Sequence, residues 1–188
     1  MAEITLYLVR HGEAEHNVKR LCSSFPEKVE YPLTEKGREQ VRAAAKILSE
    51  KTPDAIISSP MLRTKQTSEI IAEATGLVSL FDDRLRETGF GIFDGKPFAT
   101  FLEKYKDPVS RISPDSNDGV EGYIDMRQRL TTFLDDVKEN YTNKKVVIVS
   151  HGDTLEQLHG ILTHESPGVS ASGWYPEKGS CTEVVWKF

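Results

Sequence analysis

Residues 3–17 read EITLYLVRHGEAEHN, and this stretch decides the fold. The run Ile4–Val9 is almost wholly apolar and lacks the polar alternation of a half-exposed strand. Such runs are typical of strands that are covered on both faces, as in parallel sheets that lie between helices. The run stops at Arg10, His11 and Gly12, so a cation and an imidazole directly follow a buried strand. We therefore predict a central strand whose carboxyl end carries chemically active side chains.

Three further β-type runs lie along the chain, and helical patterns separate them. The runs are DAIISS at 54–59, KVVIVS at 145–150 and TEVVWKF at 182–188. Helical periodicity falls at 34–50, 59–76, 123–141 and 153–162. In the second of these patterns, Ser59 is the predicted N-cap, Pro60 the first helical residue and Gly76 the stop. Strands that alternate with helices predict an α/β sheet layered between helices.

The region from about 84 to 122 departs from this rhythm. It is rich in Gly, Pro, Asp and Ser, and its one amphipathic piece is FATFLEKYK at 98–106. We interpret it as an excursion over the sheet edge that acts as a lid; a surface loop anchored by aromatic side chains is the alternative. No repeat or linker interrupts the chain, so residues 1–188 are predicted to form a single domain.

Composition bounds the class of protein. The 188 residues are 38% hydrophobic and 28% charged, as in ordinary globular proteins, and the formal net charge is −5. An acidic chain argues against nucleic-acid binding. Two cysteines, Cys22 and Cys181, suggest no disulfide framework and fit a reducing compartment. With no signal peptide or membrane-length apolar run visible, we expect a cytoplasmic protein without a membrane partner.

Polar signatures follow three of the apolar runs. Arg10 and His11 follow the first, Arg63 lies one turn beyond the second, and His151 follows the third. If the strands are parallel neighbours, these side chains meet at one sheet edge, where open α/β sheets bind ligands. Gly12 and Gly152 each follow a histidine, and we interpret their missing Cβ atoms as room for the backbone to approach a ligand.

The cluster suits phosphoryl transfer. Arginine offers a planar fork of donors to phosphate, and a neutral imidazole is a competent nucleophile. Such transfer needs positioning, positive charge and an acid for the leaving oxygen. Glu87, which follows the apolar Leu85 and precedes a glycine-rich turn, is the candidate acid.

Five stretches in order resemble the motifs of the histidine phosphatase superfamily, also called phosphoglycerate mutase-like. They are LYLVRHGEAEHN at 6–17, PLTEKGREQ at 32–40, IISSPMLRTKQTSEI at 56–70, LRETGFGIFDGK at 85–96 and VVIVSHGDT at 146–154. The resemblance implies a three-layer α/β/α sandwich around a mostly parallel sheet. It also implies phosphoryl transfer through a phosphohistidine, without a metal or other cofactor.

The resemblance assigns a role to each matching residue. His11 resembles the nucleophile, and Glu87 resembles the proton donor. The rest of the phosphate pocket is matched by Arg10, Arg63 and His151, and the phosphate-contacting asparagine is matched by Asn17. Gly152 matches the glycine of the family's second His-Gly pair. The chain departs from the family after Asn17, where many members read GRxQG. Here Cys22, Ser23 and Ser24 occupy the substrate-facing stretch, so we predict Ser23 and Ser24 as substrate contacts.

We expect a phosphatase that hydrolyses a small-molecule phosphomonoester, acting as a monomer or homodimer. The long insertion and tail of the cofactor-dependent mutases look absent, and a shorter lid favours attack by water. A phosphoglycerate mutase-type phosphotransferase, a catalytically inactive binding protein and a metal hydrolase are the alternatives.

Several other side chains are predicted to be structural. His16 and His164 are interpreted as surface residues, and His159 as a helix residue. Trp174, Tyr175 and Trp186 are expected to complete the core. Asp153 could orient His151 or cap the following helix, and we favour the cap.

Overall fold

The computed structural model describes residues 2–168 and 173–188, which form a five-stranded sheet between helices. The strands are β1 (Glu3–Arg10), β2 (Ala55–Ser58), β3 (Ser79–Phe81), β4 (Lys145–Ser150) and β5 (Cys181–Lys187). The helices are α1 (Glu15–Lys19), α2 (Glu35–Lys51), α3 (Leu62–Thr75), α4 (Phe98–Lys104), α5 (Tyr123–Tyr141) and α6 (Gly152–Leu162). The strand order is β3-β2-β4-β1-β5, and β5 runs antiparallel to β1 while the other pairings are parallel.

Both faces of the sheet are covered, as the apolar runs predict. Side chains of β1 alternate between the faces: Ile4, Leu6 and Leu8 pack with α5 and α6, whereas Tyr7 and Val9 pack with α2 and α3. Because successive side chains of a strand point to opposite faces of the sheet, β1 contributes to two separate apolar cores. The three-layer α/β/α sandwich with a mostly parallel sheet is confirmed.

Strand register brings the active strand ends together. Arg10 at the end of β1 lies opposite Ser150 at the end of β4, and Ser58 at the end of β2 lies opposite Val149. The main chain continues this alignment for one more residue, because the amide of His11 donates to the carbonyl of Ser150 at 3.0 Å. The loops that leave these three strands therefore start at one sheet edge.

Helix α3 begins later than predicted. Its N-cap is Met61 rather than Ser59, and Pro60 precedes the helix. The Ser59 hydroxyl lies 2.8 Å from Nε2 of His151 instead of capping the helix. A carboxylate distant in sequence, Glu27, accepts from the amide of Leu62 at 2.6 Å and satisfies one of the free donors of the first turn. Gly76, with φ at 74°, ends α3 as predicted.

The excursion at 84–122 is anchored by its own aromatic cluster. Phe90, Phe93, Phe101 and Tyr105 are buried together with Cys22, and the rings of Phe90 and Phe101 meet edge to face at 5.1 Å. Main-chain hydrogen bonds also join it to the segment after α1, as in the bond from the Cys22 amide to the Lys96 carbonyl at 2.9 Å. This packing is what the anchored-loop alternative describes; movement as a lid stays a prediction.

Two expectations concern features outside the sheet. In the described ranges, no helix is both long and apolar enough to cross a membrane. Trp174 and Trp186 pack at the edge of the core that α5 and α6 cover, as expected, and the Trp174 ring stacks on His159 at 4.3 Å. Tyr175 departs from its prediction and lies in the cavity described next.

Candidate active site

A cavity of about 610 Å³ opens at the carboxyl edge of the sheet, above the ends of β1 and β4. Six predicted site residues line it, namely Arg10, His11, Asn17, Ser23, Arg63 and Glu87. Apolar side chains line it as well, namely Leu21, Phe90, Pro97, Phe98, Ala99 and Leu102. The volume suits a small molecule. The cavity can thus offer charged contacts to an anionic group and apolar contacts to the rest of a small molecule.

His11 is held as a neutral imidazole with one nitrogen free to react. Its Nδ1 lies 2.7 Å from the carbonyl oxygen of Gly12, so Nδ1 carries the proton and donates it. Burial, followed by the charge of Arg63, holds the pKa of His11 well below its usual range. The lone pair therefore resides on Nε2, the nitrogen that a nucleophilic attack requires.

Two arginines place positive charge at the cavity, Arg63 fully buried and Arg10 half-buried. The Arg63 side chain is fully buried, and its guanidinium donates to the Ser23 hydroxyl at 3.1 Å and pairs with Glu27 at 3.3 Å. Burial lowers the pKa of Arg63 to about 10, so the group stays charged at neutral pH. Arg10 donates to the carbonyl of Pro176 at 2.8 Å. The Nε atoms of both are buried and lack a hydrogen-bond partner among the described residues, as donors reserved for an anion would be.

His151 does not line the cavity, but it lies close to His11 and Glu87, which do. Its ring is fully buried 5.2 Å from that of His11, and burial, followed by the charge of Arg63, holds the pKa of His151 well below its usual range. Its Nδ1 lies 4.0 Å from Oε2 of Glu87. His151 therefore connects the nucleophile with the candidate acid.

Glu87 has the properties of a general acid. The carboxyl lines the cavity, and its Oε1 accepts from the amide of Thr88 at 2.9 Å. Burial, followed by the nearby charge of Asp153, raises the pKa of Glu87 to about 7. A carboxyl that holds its proton near neutral pH can give it to a leaving oxygen and take one back from water.

The predicted binding residues differ in position. Asn17 lines the cavity, and its Oδ1 accepts from the Ala14 amide at 3.0 Å. Ser23 also lines the cavity. Ser24 does not line it: its hydroxyl accepts from the Phe90 amide at 2.8 Å and holds the excursion in place. In the structure Ser24 thus holds a neighbouring segment, and its role as a substrate contact stays a prediction.

The glycines that follow His11 and His151 lack a Cβ atom at points where another part of the protein packs closely against them. A Cβ on Gly12 would lie 2.3 Å from the carbonyl oxygen of Gly37. A Cβ on Gly152 would lie 2.1 Å from the hydroxyl of Tyr175 and 3.2 Å from Cζ of Arg10. A neighbouring segment of the chain therefore occupies the space beside each glycine, and backbone approach to a ligand at Gly12 and Gly152 stays a prediction.

Four site residues escaped the sequence analysis. His16 is buried in the cavity wall rather than exposed, with its ring 5.7 Å from that of His11. Asp153 caps no helix: it accepts from Tyr175 at 2.9 Å and from Thr88 at 3.3 Å. The third and fourth residues are Tyr175 and Glu27. Both reach the site only through contacts between segments that are distant in the sequence. The position of His16 between two motif residues was a signal that could have found it.

The sequence also matches a known protein family over nearly its whole length. The model of the histidine phosphatase superfamily, branch 1, matches residues 6–187. The chain belongs to this superfamily. Its fold is therefore that of a histidine phosphatase.

Named relatives and solved structures agree with the family assignment. Phosphoserine phosphatase 1 of Hydrogenobacter thermophilus is 32% identical over 85% of this chain and 76% of that protein. An Escherichia coli protein named "Probable phosphoglycerate mutase GpmB" is 31% identical over 81% of this chain and 71% of that protein. The structure of a mycobacterial glucosyl-3-phosphoglycerate phosphatase with VO3 is 26% identical, covers 95% of this chain and 90% of that one, and superposes with a TM-score of 0.80. This histidine phosphatase is thus an enzyme of phosphatase or mutase type.

Proposed function

We propose that this histidine phosphatase hydrolyses a small-molecule phosphomonoester through a phosphohistidine on His11, with Glu87 as general acid and then general base. The observation that carries the proposal is the neutral His11, whose Nδ1–H is held by Gly12 while Nε2 is left to attack. Arg10 and Arg63 supply the positive charge that the transferring phosphoryl group requires.

In the first step, the lone pair of His11 Nε2 forms a bond to phosphorus as the bond from phosphorus to the alcohol oxygen breaks. The proton of Glu87 moves to that oxygen, so a neutral alcohol leaves and Glu87 becomes a carboxylate. Arg63 is fully buried, and its charge acts through a medium of low dielectric on the phosphoryl oxygens.

In the second step, water attacks phosphorus and gives a proton to the Glu87 carboxylate. The bond from phosphorus to Nε2 breaks, its electron pair returns to His11, and inorganic phosphate is released. A pKa of about 7 allows one carboxyl to serve both steps at neutral pH.

The leaving alcohol is proposed to lie against the apolar wall formed by Leu21, Phe90, Phe98 and Leu102. The relatives' names refer to different phosphate esters, phosphoserine in one and glucosyl-3-phosphoglycerate in another. We therefore propose the class of phosphomonoester and leave the individual metabolite to a substrate panel.

Hydrolysis of p-nitrophenyl phosphate in excess chelator tests the proposal. We expect the wild type to turn over, His11→Ala to be inactive and His164→Ala, which changes an exposed histidine, to match the wild type. Full activity in His11→Ala would refute the phosphohistidine, and loss of wild-type activity in chelator would refute metal independence.

Mutase activity is the second candidate, because one relative carries the mutase name. A mutase would return the phosphoryl group to another hydroxyl and would need a bisphosphorylated primer to charge His11. Turnover that depends on such a primer would favour the mutase, whereas primer-free release of inorganic phosphate supports the phosphatase.

The expected setting follows from the chain's chemistry. Cys22 and Cys181 are both free thiols, which supports a reducing, cytoplasmic location. We propose a phosphorylated small molecule as the partner, without a nucleic-acid or membrane partner, and a monomer or homodimer as the assembly. Light scattering and fractionation of the host cell test these expectations.

A further inference from the structure

Asp153 is a buried carboxylate that the two proposed steps do not use. It stands in the first turn of α6 and lines the same cavity as Glu87. Both of its oxygens are held: Oδ1 accepts from the Tyr175 hydroxyl at 2.9 Å, and Oδ2 accepts from the Thr88 hydroxyl at 3.3 Å. Arg111 lies 3.6 Å from Oδ2. Two hydroxyl donors and a cation thus hold a negative charge at a fixed place in the cavity.

We propose that Asp153 is a positioning residue that keeps the catalytic proton on Glu87 and so sets the pH range in which the leaving group can be protonated. The inference rests on the proposed function, because it gives Glu87 the role of acid. A negative charge close to a second carboxyl disfavours ionisation of that carboxyl.

Thr88 connects the two carboxyl groups. Its amide donates to Oε1 of Glu87 at 2.9 Å, and its hydroxyl donates to Oδ2 of Asp153 at 3.3 Å. One residue therefore contacts both carboxyl groups, which places the Asp153 carboxyl near that of Glu87. In agreement, Asp153 contributes more than any other charged group to raising the pKa of Glu87, second only to burial.

The other groups around Glu87 act in the opposite direction or carry no charge. Arg63 on α3 and Arg10 at the end of β1 both lower the pKa of Glu87. His151, after β4, is buried with its pKa held well below the usual range and is neutral. Without Asp153, burial alone would oppose the two arginines, and the Glu87 carboxyl would lose its proton at lower pH.

Tyr175 contacts both Asp153 and Arg10, one of the arginines proposed to bind the phosphoryl group. Its hydroxyl donates to Asp153, and its ring lies 5.1 Å from Cζ of Arg10. The missing Cβ of Gly152 makes the space for that hydroxyl. The glycine after the second histidine thus permits the contact that holds Asp153.

The test compares kcat/KM for phenyl phosphate from pH 5 to 9 in the wild type, Asp153→Asn and Asp153→Ser. Phenyl phosphate has a poor leaving group, so its first step depends on the acid. The alkaline limb of the profile should move to lower pH by roughly one unit in both neutral variants. At pH 8 each variant should then be roughly tenfold slower than the wild type, and at pH 5.5 within roughly twofold. Asp153→Glu, which keeps the charge, should restore the wild-type limb.

Glu139→Gln is the control, because it removes an exposed carboxyl on α5 that does not line the cavity. It should leave the limb in place. Glu87→Gln should remove the limb, which assigns the limb to Glu87 independently of Asp153. A limb that stays fixed in Asp153→Asn and Asp153→Ser, or that moves equally in Glu139→Gln, would overturn this inference alone. A wild type without the limb would overturn the proposed role of Glu87 and this inference with it.

Discussion

Replacement of Glu87 by glutamine should lower activity and raise stability together. Gln has the same shape but no proton to give, so the first step loses its acid. General acid catalysis contributes roughly a hundredfold to ten-thousandfold, about 3 to 5 kcal/mol of barrier. We expect a loss of that size in kcat/KM for phenyl phosphate and a much smaller loss for p-nitrophenyl phosphate, whose leaving group needs less help.

The stability of the same variant follows from the raised pKa. A rise from 4.5 to about 7 means that the folded protein binds the Glu87 proton more tightly than the unfolded chain does. This contribution to stability is fully present below pH 4.5 and is lost as pH rises through 7. Above pH 7, the buried carboxylate costs roughly 3 kcal/mol. Glu87→Gln removes that cost.

Urea unfolding at pH 5 and pH 8, beside kinetics with both esters, checks this prediction. Relative to the wild type, Glu87→Gln should gain stability between pH 5 and pH 8. Glu139→Gln, which changes an exposed glutamate on α5, should show neither effect. Equal loss with both esters, or a stability difference that is independent of pH, would refute the assignment of Glu87 as a buried acid.

Three further substitutions test other parts of the site. Gly152→Ala should push the Tyr175 hydroxyl aside and lower kcat/KM roughly tenfold. The urea midpoint should change little, because Tyr175 is 46% exposed and can turn outward. An unchanged kcat/KM would contradict this prediction. Arg63→Lys keeps the charge but loses the fork that reaches Ser23, so kcat/KM should fall at least about a hundredfold; a loss below tenfold would show that charge alone suffices. Phe98→Ala should raise KM for phenyl phosphate roughly threefold to tenfold and leave KM for glycerol phosphate unchanged; an equal rise for both esters would argue against the apolar wall.

The sheet and its active edge were predictable because local pattern and global fold agree there. The apolar runs at 4–9 and 145–150 are long enough to specify buried strands, and parallel register then aligns their ends. His11, Arg63 and Glu87 were identified by residue type and position, and the structure places all three in one cavity.

The parts that sequence analysis missed depend on contacts between distant segments. Ser59 has the chemistry of an N-cap, but its hydroxyl is taken by His151, 92 positions away. Tyr175 reaches the cavity because Gly152 leaves space for it, and no local pattern encodes that fit. Asp153 at the start of a helix predicts a cap, yet tertiary donors from Thr88 and Tyr175 bind it instead.

Trapping of the phosphoenzyme tests the central claim most directly. Wild type, His11→Ala and His164→Ala would be mixed with p-nitrophenyl phosphate in chelator, quenched with base during turnover and digested for mass spectrometry. We predict one added phosphoryl group on the peptide that contains His11, in the wild type and His164→Ala alike, and none in His11→Ala. Turnover in the wild type without this adduct, or an adduct that persists in His11→Ala, would contradict a mechanism that passes through His11.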